Sequence, residues 1–327
     1  MHYSSSEKLE IIQLVESSEL GVSRTLREIG INRSTFYKWY GSYTKEGIEG
    51  LKPKKRSAVQ WNQIADPVRR KIVELALDHT DRSPRELACD MTDKHGYYVS
   101  ESSVYRILKS RGLIQVPAFD VVKAVVKFHD PTIRVNQMWQ TDFTYFKVIG
   151  WGWYYMSTVL DDYSRYIVEW ELCNTMTATD VERILDKSLL KTDLTQMPKL
   201  LSDNGACYIS GQLNDYMTIV GMKHVRGAPA HPQTQGKIEP YHRSMKNVIK
   251  LINYYNPEEL KQAIKRFVHY YNNQRYHESL ENLTPADVYF GRSNQKLKRR
   301  AIIKNETLKK RRKLYIENKL NQLKSLS

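Results

Sequence analysis

Cysteine is scarce. Three occur in 327 residues, Cys89, Cys173 and Cys207, scattered and odd in number. That argues against a disulfide framework or a cysteine zinc site and fits a reducing compartment. Long apolar runs are missing as well. None approaches the roughly 20 residues of a membrane span. No signal peptide opens the chain, so a cytoplasmic protein with no membrane partner is expected. Acid is in deficit, with 36 Asp and Glu against 51 Lys and Arg and a net charge of +15. Such an excess suggests a polyanionic partner. It is unevenly spread: residues 292–327 hold thirteen Lys and Arg against two Glu. Hydrophobic residues make up 41% of the chain, ample for packed cores, and the length suits two or three domains.

The amino-terminal third reads as helical. Within residues 1–50, Ser4-Ser-Ser-Glu7 is a capping-box signal, and Leu9, Ile12 and Val15 follow at helical spacing. A short helix starts at Ser23, Gly30-Ile31-Asn32 makes a turn, and Arg33 to Tyr40 forms the next helix. This is a helix-turn-helix pattern. Phe36, with Trp39 or Tyr40, would pack inward, leaving Arg33, Ser34, Thr35 and Lys38 to meet DNA near the helix's amino-terminal half. Residues 51–66 are a basic linker, either touching backbone phosphate or a solvated spacer. Residues 67–114 repeat the theme. Pro67 opens one helix, Ser83-Pro-Arg-Glu86 caps a second that ends by Gly96, and Ser100 caps a third. Here Ser102, Ser103, Arg106 and Lys109 face outward as candidate DNA contacts. Residues 115–135 read as a connector with a short strand at 121–126.

From residue 136 the period changes. Strands are expected at about 138–147, 153–160 and 166–172, with Gly150-Trp-Gly152 and Asp161-Asp-Tyr-Ser164 as turns. Asp161 and Asp162 are assigned to their turn. A crossover helix from Thr177 to Leu190 leads to a strand at 199–203, an α/β pattern. Residues 205–236 read as a mobile loop around a short helix at 211–219. Pro257 to Asn272 form another helix, after which Tyr271, Arg275 and His277 anchor the last core segment. The tail, 292–327, is basic and helical, either lying along phosphates or solvated.

Three acids stand out in this second half: Asp142 inside a strand, Asp203 at a strand's end before Asn204-Gly205, and Glu239 at the start of a helix. Period two points Asp142 to the face opposite Trp139, Thr141 and Phe143. Converging carboxylates need a counter-charge, and hard divalent cations supply it while leaving positions for water and phosphate. Spacing alone leaves this open against three ordinary surface acids.

The words around the acids decide further. The stretch from about Asn136 to Arg292 resembles the retroviral-integrase-like catalytic core of bacterial DDE transposases of the IS3 and IS481 families. The matching pieces are Trp139-x-Thr-Asp142, Leu160-Asp-Asp-Tyr-Ser-Arg165, Ser202-Asp-Asn-Gly205, His231-Pro-Gln-Thr-x-Gly-x-x-Glu239, Tyr271-Asn-x-x-Arg-x-His277 and Thr284-Pro-Ala286. The resemblance implies a ribonuclease H-like α/β core over 136–291, behind all-α helix-turn-helix modules and before the basic helical tail. It implies a transposase that cuts and joins the ends of an insertion sequence, with Asp142, Asp203 and Glu239 as catalytic metal ligands. Two Mg²⁺ ions are expected, with Mn²⁺ as a substitute. Asp142 and Asp203 would hold the first, and Asp142 and Glu239 would flank the second. Lys246 would contact DNA near the site, as would Lys237. Partners would be double-stranded DNA, both element ends and target, and further copies of the chain in a dimer or larger assembly. The competing readings are an integrase of a retroelement and a non-catalytic DNA-binding regulator. Two departures matter. Pro240 follows Glu239 where the family has Arg or another polar residue. The first helix-turn-helix is fused, with no leucine zipper, which leans towards an IS481-like arrangement.

Overall fold

The computed structural model describes residues 3–52, 60–114, 131–226, 237–249 and 253–324. The strand expected at 121–126 and residues 53–59 of the basic linker lie outside them. The chain forms two compact units, Met1–Gln63 with Tyr315–Ser327, and Ile64–Leu314.

In the smaller unit, helix α1 (Ser5–Ser17) starts on the expected capping box between Ser4 and Glu7. Helix α2 (Val22–Glu28) follows. Gly30 then adopts φ +71°, a left-handed conformation that glycine takes without a Cβ clash. Helix α3 (Arg33–Leu51) runs well past Tyr40 and is interrupted at Gly47, which is non-helical. Ile12, Val15, Leu26, Ile31, Phe36 and Leu51 are buried together.

The larger unit opens with α4 (Asp66–Asp78), α5 (Pro84–Asp93) and α6 (Glu101–Ser110) around Ile72, Leu87, Met91, Val104 and Leu108. Ser83 and Glu86 make the second expected capping box.

The core follows as β1 (Met138–Val148), β2 (Gly152–Asp161), β3 (Ile167–Cys173), α7 (Ala178–Lys191), β4 (Lys199–Ser202), α8 (Ala206–Ile209), α9 (Gly211–Ile219), β5 (His224–Arg226), α10 (Ile238–Ile249) and α11 (Pro257–Asn273). After it come α12 (Pro285–Tyr289) and α13 (Ser293–Lys324). The sheet order is β3-β2-β1-β4-β5. β1, β2 and β3 pair antiparallel, whereas β1, β4 and β5 pair parallel.

Helices cover both faces. Phe146, Val148, Met156 and Leu160 meet α10 and α11 on one side. Trp139 and Val159 meet α7, α8 and α9 on the other. Within the segment expected as a loop around a helix at 211–219, α9 is that helix, and α8 and the edge strand β5 are regular structure where loop was expected; 227–236 lies outside the described residues. Tyr271 is buried, the Arg275 guanidinium lies 5.9 Å from its ring centroid, and the His277 ring meets it edge-on at 5.0 Å. Burial pushes His277 down to about 3, so it is neutral where its ring packs against Tyr271.

Candidate active site

The central strand sorts its own side chains. Trp139, Thr141 and Phe143 share the α7 side, so Gln140 and Asp142 take the α10 side. Gln140 is fully buried and satisfied at both ends. Its Oε1 accepts the Ile238 N–H at 3.0 Å, and its Nε2 donates to Asp162 Oδ1 at 2.6 Å. The first N–H groups of a helix have no partner within it, and here β1 supplies one. Asp162 Oδ2 accepts from Thr132 Oγ1 and Lys237 Nζ, each at 2.5 Å. This network ties the first turn of α10 to β1.

The turn assignment of the two neighbouring aspartates therefore needs correction at one of them. Asp161 closes its turn, accepting the Ser164 N–H at 2.9 Å and hydroxyl at 2.6 Å. Burial raises its carboxyl above the ordinary range even against those bonds. Asp162 instead reaches across elements, because the buried amide of Gln140 and the ammonium of Lys237 offer its carboxylate stronger partners than the turn does.

Asp142 and Glu239 line one pocket of about 730 Å³, together with Phe143, His242, Arg243 and Lys246. Asp142 is held at both oxygens. Oδ1 accepts the Phe143 N–H at 2.8 Å, and Oδ2 lies 3.2 Å from His242 Nδ1. His242 is only 5% exposed, and its Nε2 is buried without a partner among the described residues. A carboxylate only accepts, so the proton is assigned to Nδ1. Glu239 stands in the first turn of α10, with Pro240 next in that turn where a missing N–H does no harm. Its carboxylate meets Arg243 at 3.1 Å on the surface, an exposed pair worth little and easily exchanged for another cation.

Asp203 arrives from the neighbouring strand. The parallel ladder with β1 ends where Gln140 lies beside Leu201, and Asp203 comes one residue past the end of β4, the strand next to the one that carries Asp142. Both charges act on Cys207, whose thiol is pushed up to about 11, first by burial and then by Asp203 with a smaller share from Asp142. Asp203 Oδ1 accepts the Gly205 N–H at 2.9 Å. A Cβ on Gly205 would come within 3.0 Å of that oxygen, which suits the Asn-Gly sequence there.

Asp203 is exposed and does not line the pocket. Among the described residues, no three His, Cys, Asp or Glu lie close enough together to hold a metal ion. The donor chemistry nevertheless suits Mg²⁺, which takes one or two carboxylates and fills its remaining positions with water and phosphate oxygen.

The candidate DNA contacts divide. Arg33, Ser34, Thr35 and Lys38 are all exposed at the start of α3. Asn32 Oδ1 caps that helix, accepting from the Ser34 N–H at 2.9 Å and hydroxyl at 2.7 Å. On α6, Ser102, Arg106 and Lys109 are exposed, while Ser103 is half-buried against the Ser100 cap. Lys246 lies in the pocket wall. Lys237 does not fit the expectation. Its ammonium is paired with Asp162, and burial with the nearby Arg165 charge lowers it below the ordinary lysine range. Its charge is already used inside the fold. Gln140, Asp162 and His242 are the residues that sequence reasoning missed. For Gln140 and His242 the only available signal was position, two residues before Asp142 and three after Glu239.

Four known domain types match this chain. An integrase core domain covers residues 133–232 and a second integrase core domain 220–285. A homeodomain-like domain covers 35–108 and a helix-turn-helix domain 7–58. The InsK protein of insertion sequence element IS150 from Escherichia coli is 25% identical over 80% of this chain and 91% of its own length. The transposase for insertion sequence element IS629 from Shigella sonnei is 28% identical over 47% of this chain, which spans about half, 52%, of that protein. The catalytic core domain of BIV integrase covers 50% of this chain and 99% of its own, at 20% identity and a TM-score of 0.38. The insertion-sequence relatives are of the IS3 type. The chain joins amino-terminal helix-turn-helix domains to a ribonuclease H-like integrase core domain, as a relative of IS3-type insertion-sequence transposases.

Proposed function

We propose that the chain is the transposase of a bacterial insertion sequence: it recognises the inverted-repeat ends through its helix-turn-helix modules and cuts and joins strands in its core. One observation carries this reading above the others. Asp142 and Glu239 line one pocket, and Asp203 follows directly on β4, the strand paired with the one that carries Asp142. In the reaction, hydrolysis of one phosphodiester frees a 3′ hydroxyl, and that hydroxyl then attacks another phosphodiester. One set of acids serves both steps, because only the attacking oxygen changes.

Asp142, Asp203 and Glu239 would hold two divalent cations, Mg²⁺ or Mn²⁺, which supply activation of the attacking oxygen and neutralisation of charge at the phosphate. The protein's own residues position the parts. Gln140 holds the start of α10, His242 orients Asp142, and Lys246 offers a cation to the phosphate backbone. The chain works in the cytoplasm, as a dimer or larger assembly on paired DNA ends. The matched helix-turn-helix domains favour this over an integrase of a retroelement.

The test uses the full chain, Mg²⁺ and labelled duplex carrying the element's end. A metal-dependent nick leaving a 3′ hydroxyl, followed by joining to a second duplex, is expected. Binding without nicking in either Mg²⁺ or Mn²⁺ would make the chain a regulator instead.

Two further results are expected. His242→Leu removes the donor behind Asp142 and weakens Mn²⁺ binding by about 10–100-fold, as loss of a partner behind a metal ligand does elsewhere. Calorimetric titration reads this directly, and His242→Asn, which can again donate a hydrogen bond, should recover part of it. Equal affinity in the leucine variant would leave His242 as packing alone. Arg33→Ala should cost about 1–3 kcal/mol in binding to end DNA if Arg33 reads a base edge. Mobility shifts with end and scrambled duplexes measure it, and an equal loss on both would reduce Arg33 to a phosphate contact.

A further inference from the structure

The β1–β2 hairpin carries a surface that the proposed chemistry leaves unused. β4 pairs with β1 only over Met138–Gln140, and β3 reaches only as far as Tyr155 on β2. The distal ribbon therefore extends past both neighbouring strands. Its two faces differ. Phe146 and Val148 are buried against α10 and α11. The opposite face carries Phe143, Tyr145 and Lys147, paired across the ribbon with Ser157, Tyr155 and Trp153. Phe143 is covered by Tyr208, the ring centroids 6.1 Å apart. Beyond it the side chains are half exposed, Tyr145 at 51% and Trp153 at 52%. Their rings meet edge to face at 5.5 Å. A lysine flanks each ring, Lys147 at 5.9 Å from the Trp153 centroid and Lys246 at 5.0 Å from that of Tyr145.

This row is continuous with the candidate active site, because Phe143 and Lys246 also line the pocket of Asp142 and Glu239. We propose that Tyr145 and Trp153 form a stacking platform for an unpaired base of the DNA strand whose phosphate enters that pocket. The proposal rests on the transposase reading and names how the strand is held there. An apolar protein partner covering these rings would have to bury two ammonium groups, which is costly without paired acids. A nucleic-acid strand answers both features in one ligand, with phosphates for Lys147 and Lys246 and a base for the rings. Every base has a π-face, so the platform holds a strand without reading its sequence. A base can reach it only when unpaired, so it selects frayed or melted DNA over closed duplex.

The experiment compares two short duplexes of identical scrambled sequence, one fully paired and one with mismatches at its terminal pairs. The full chain is titrated with each. Wild type should bind the frayed duplex more tightly. The double variant Tyr145→Ala, Trp153→Ala should lose that preference by about ten-fold, from the loss of base stacking, while affinity for the paired duplex stays within about two-fold. Tyr145→Phe, Trp153→Phe should keep the preference, which guards against a folding defect. No preference in wild type, or one that survives the alanine variant, overturns the proposal. Loss of self-association in the alanine variant with the preference intact assigns the face to a second copy of the chain and overturns it equally. Metal-dependent nicking is scored separately on end DNA. Nicking without a fraying preference removes the platform alone, and a fraying preference without nicking removes the catalytic reading alone.

Discussion

Asp142→Asn, Asp203→Asn and Glu239→Gln should each reduce strand nicking and joining by at least about a hundred-fold, because partners one step removed from a metal already cost 10–100-fold. Binding to end DNA should survive in all three. The substitutions keep size and hydrogen-bonding capacity and remove only charge. In Asp142→Asn the amide oxygen can still accept from the Phe143 N–H or the His242 ring, the two contacts that hold the native carboxylate. In Asp203→Asn it can still accept from the Gly205 N–H. Glu239 is exposed, so its replacement disturbs no packing and breaks only a surface pair with Arg243. What each variant loses is an anionic oxygen donor for a divalent cation. The candidate base-reading residues lie on α3 and α6, not in the pocket. The measurement is a time course of nicked and joined product beside a mobility shift with the same duplex. A variant that nicks at the wild-type rate removes its residue from the site. A variant that neither nicks nor binds has lost its fold.

The strands were legible because their chemistry is local. Trp139 to Phe146 is rich in β-formers, and Gly150 marks the turn where the structure gives it φ +77°. The face of Asp142 followed from period two alone. Caps at Ser4, Ser83 and Ser100 were legible for the same reason, since each motif spans four residues. The misses share the opposite property. The amide of Gln140 matters through Ile238, 98 residues away, and nothing near either residue announces the bond. Asp162 looks like a turn acid until Lys237 is folded against it. β5 is three residues long, too short for any period to show, and it forms only because β4 offers an edge. For helix α13 composition carries only part of the signal: twelve cations suggest a solvated or phosphate-bound helix, and the acid that Lys296 and Arg300 share, Asp93, lies far back in the chain.

That acid leads to the second large effect, the loss of stability expected from Arg300→Met. The guanidinium grips Asp93 at the end of α5 with two parallel bonds, Nε to Oδ1 and Nη2 to Oδ2, both 2.7 Å. Nη2 also donates to the Asn282 carbonyl at 2.9 Å, and Tyr276 donates its hydroxyl to Asp93 at 3.1 Å. Further along α13, Thr307 accepts the Tyr98 N–H at 3.1 Å, and Arg311 donates to the Tyr98 carbonyl at 2.7 Å. The side chains of Arg300 and Asp93 are only 15% and 11% exposed. Removing one partner strands the other charge, which costs about 3–5 kcal/mol when fully buried. The remaining exposure brings the expectation for Arg300→Met to about 2–4 kcal/mol. The pH dependence provides the decisive check. Burial alone would raise the Asp93 carboxyl, but the bonds and charge of Arg300, with Lys296, outweigh it and hold the group below the ordinary aspartate value. The folded state therefore binds fewer protons than the unfolded one in that range, so stability rises with pH there. The contribution is complete above about pH 4, the unfolded value, and is lost as pH falls through the lower folded value. Urea unfolding, followed by hydrogen exchange at α5, α6 and α13, should show wild type losing protection on acidification below that point. Arg300→Met should start lower and show a shallower slope. An equal slope in both proteins would mean that Asp93 draws its stabilisation from Lys296 and Tyr276 instead, and that the guanidinium grip contributes little.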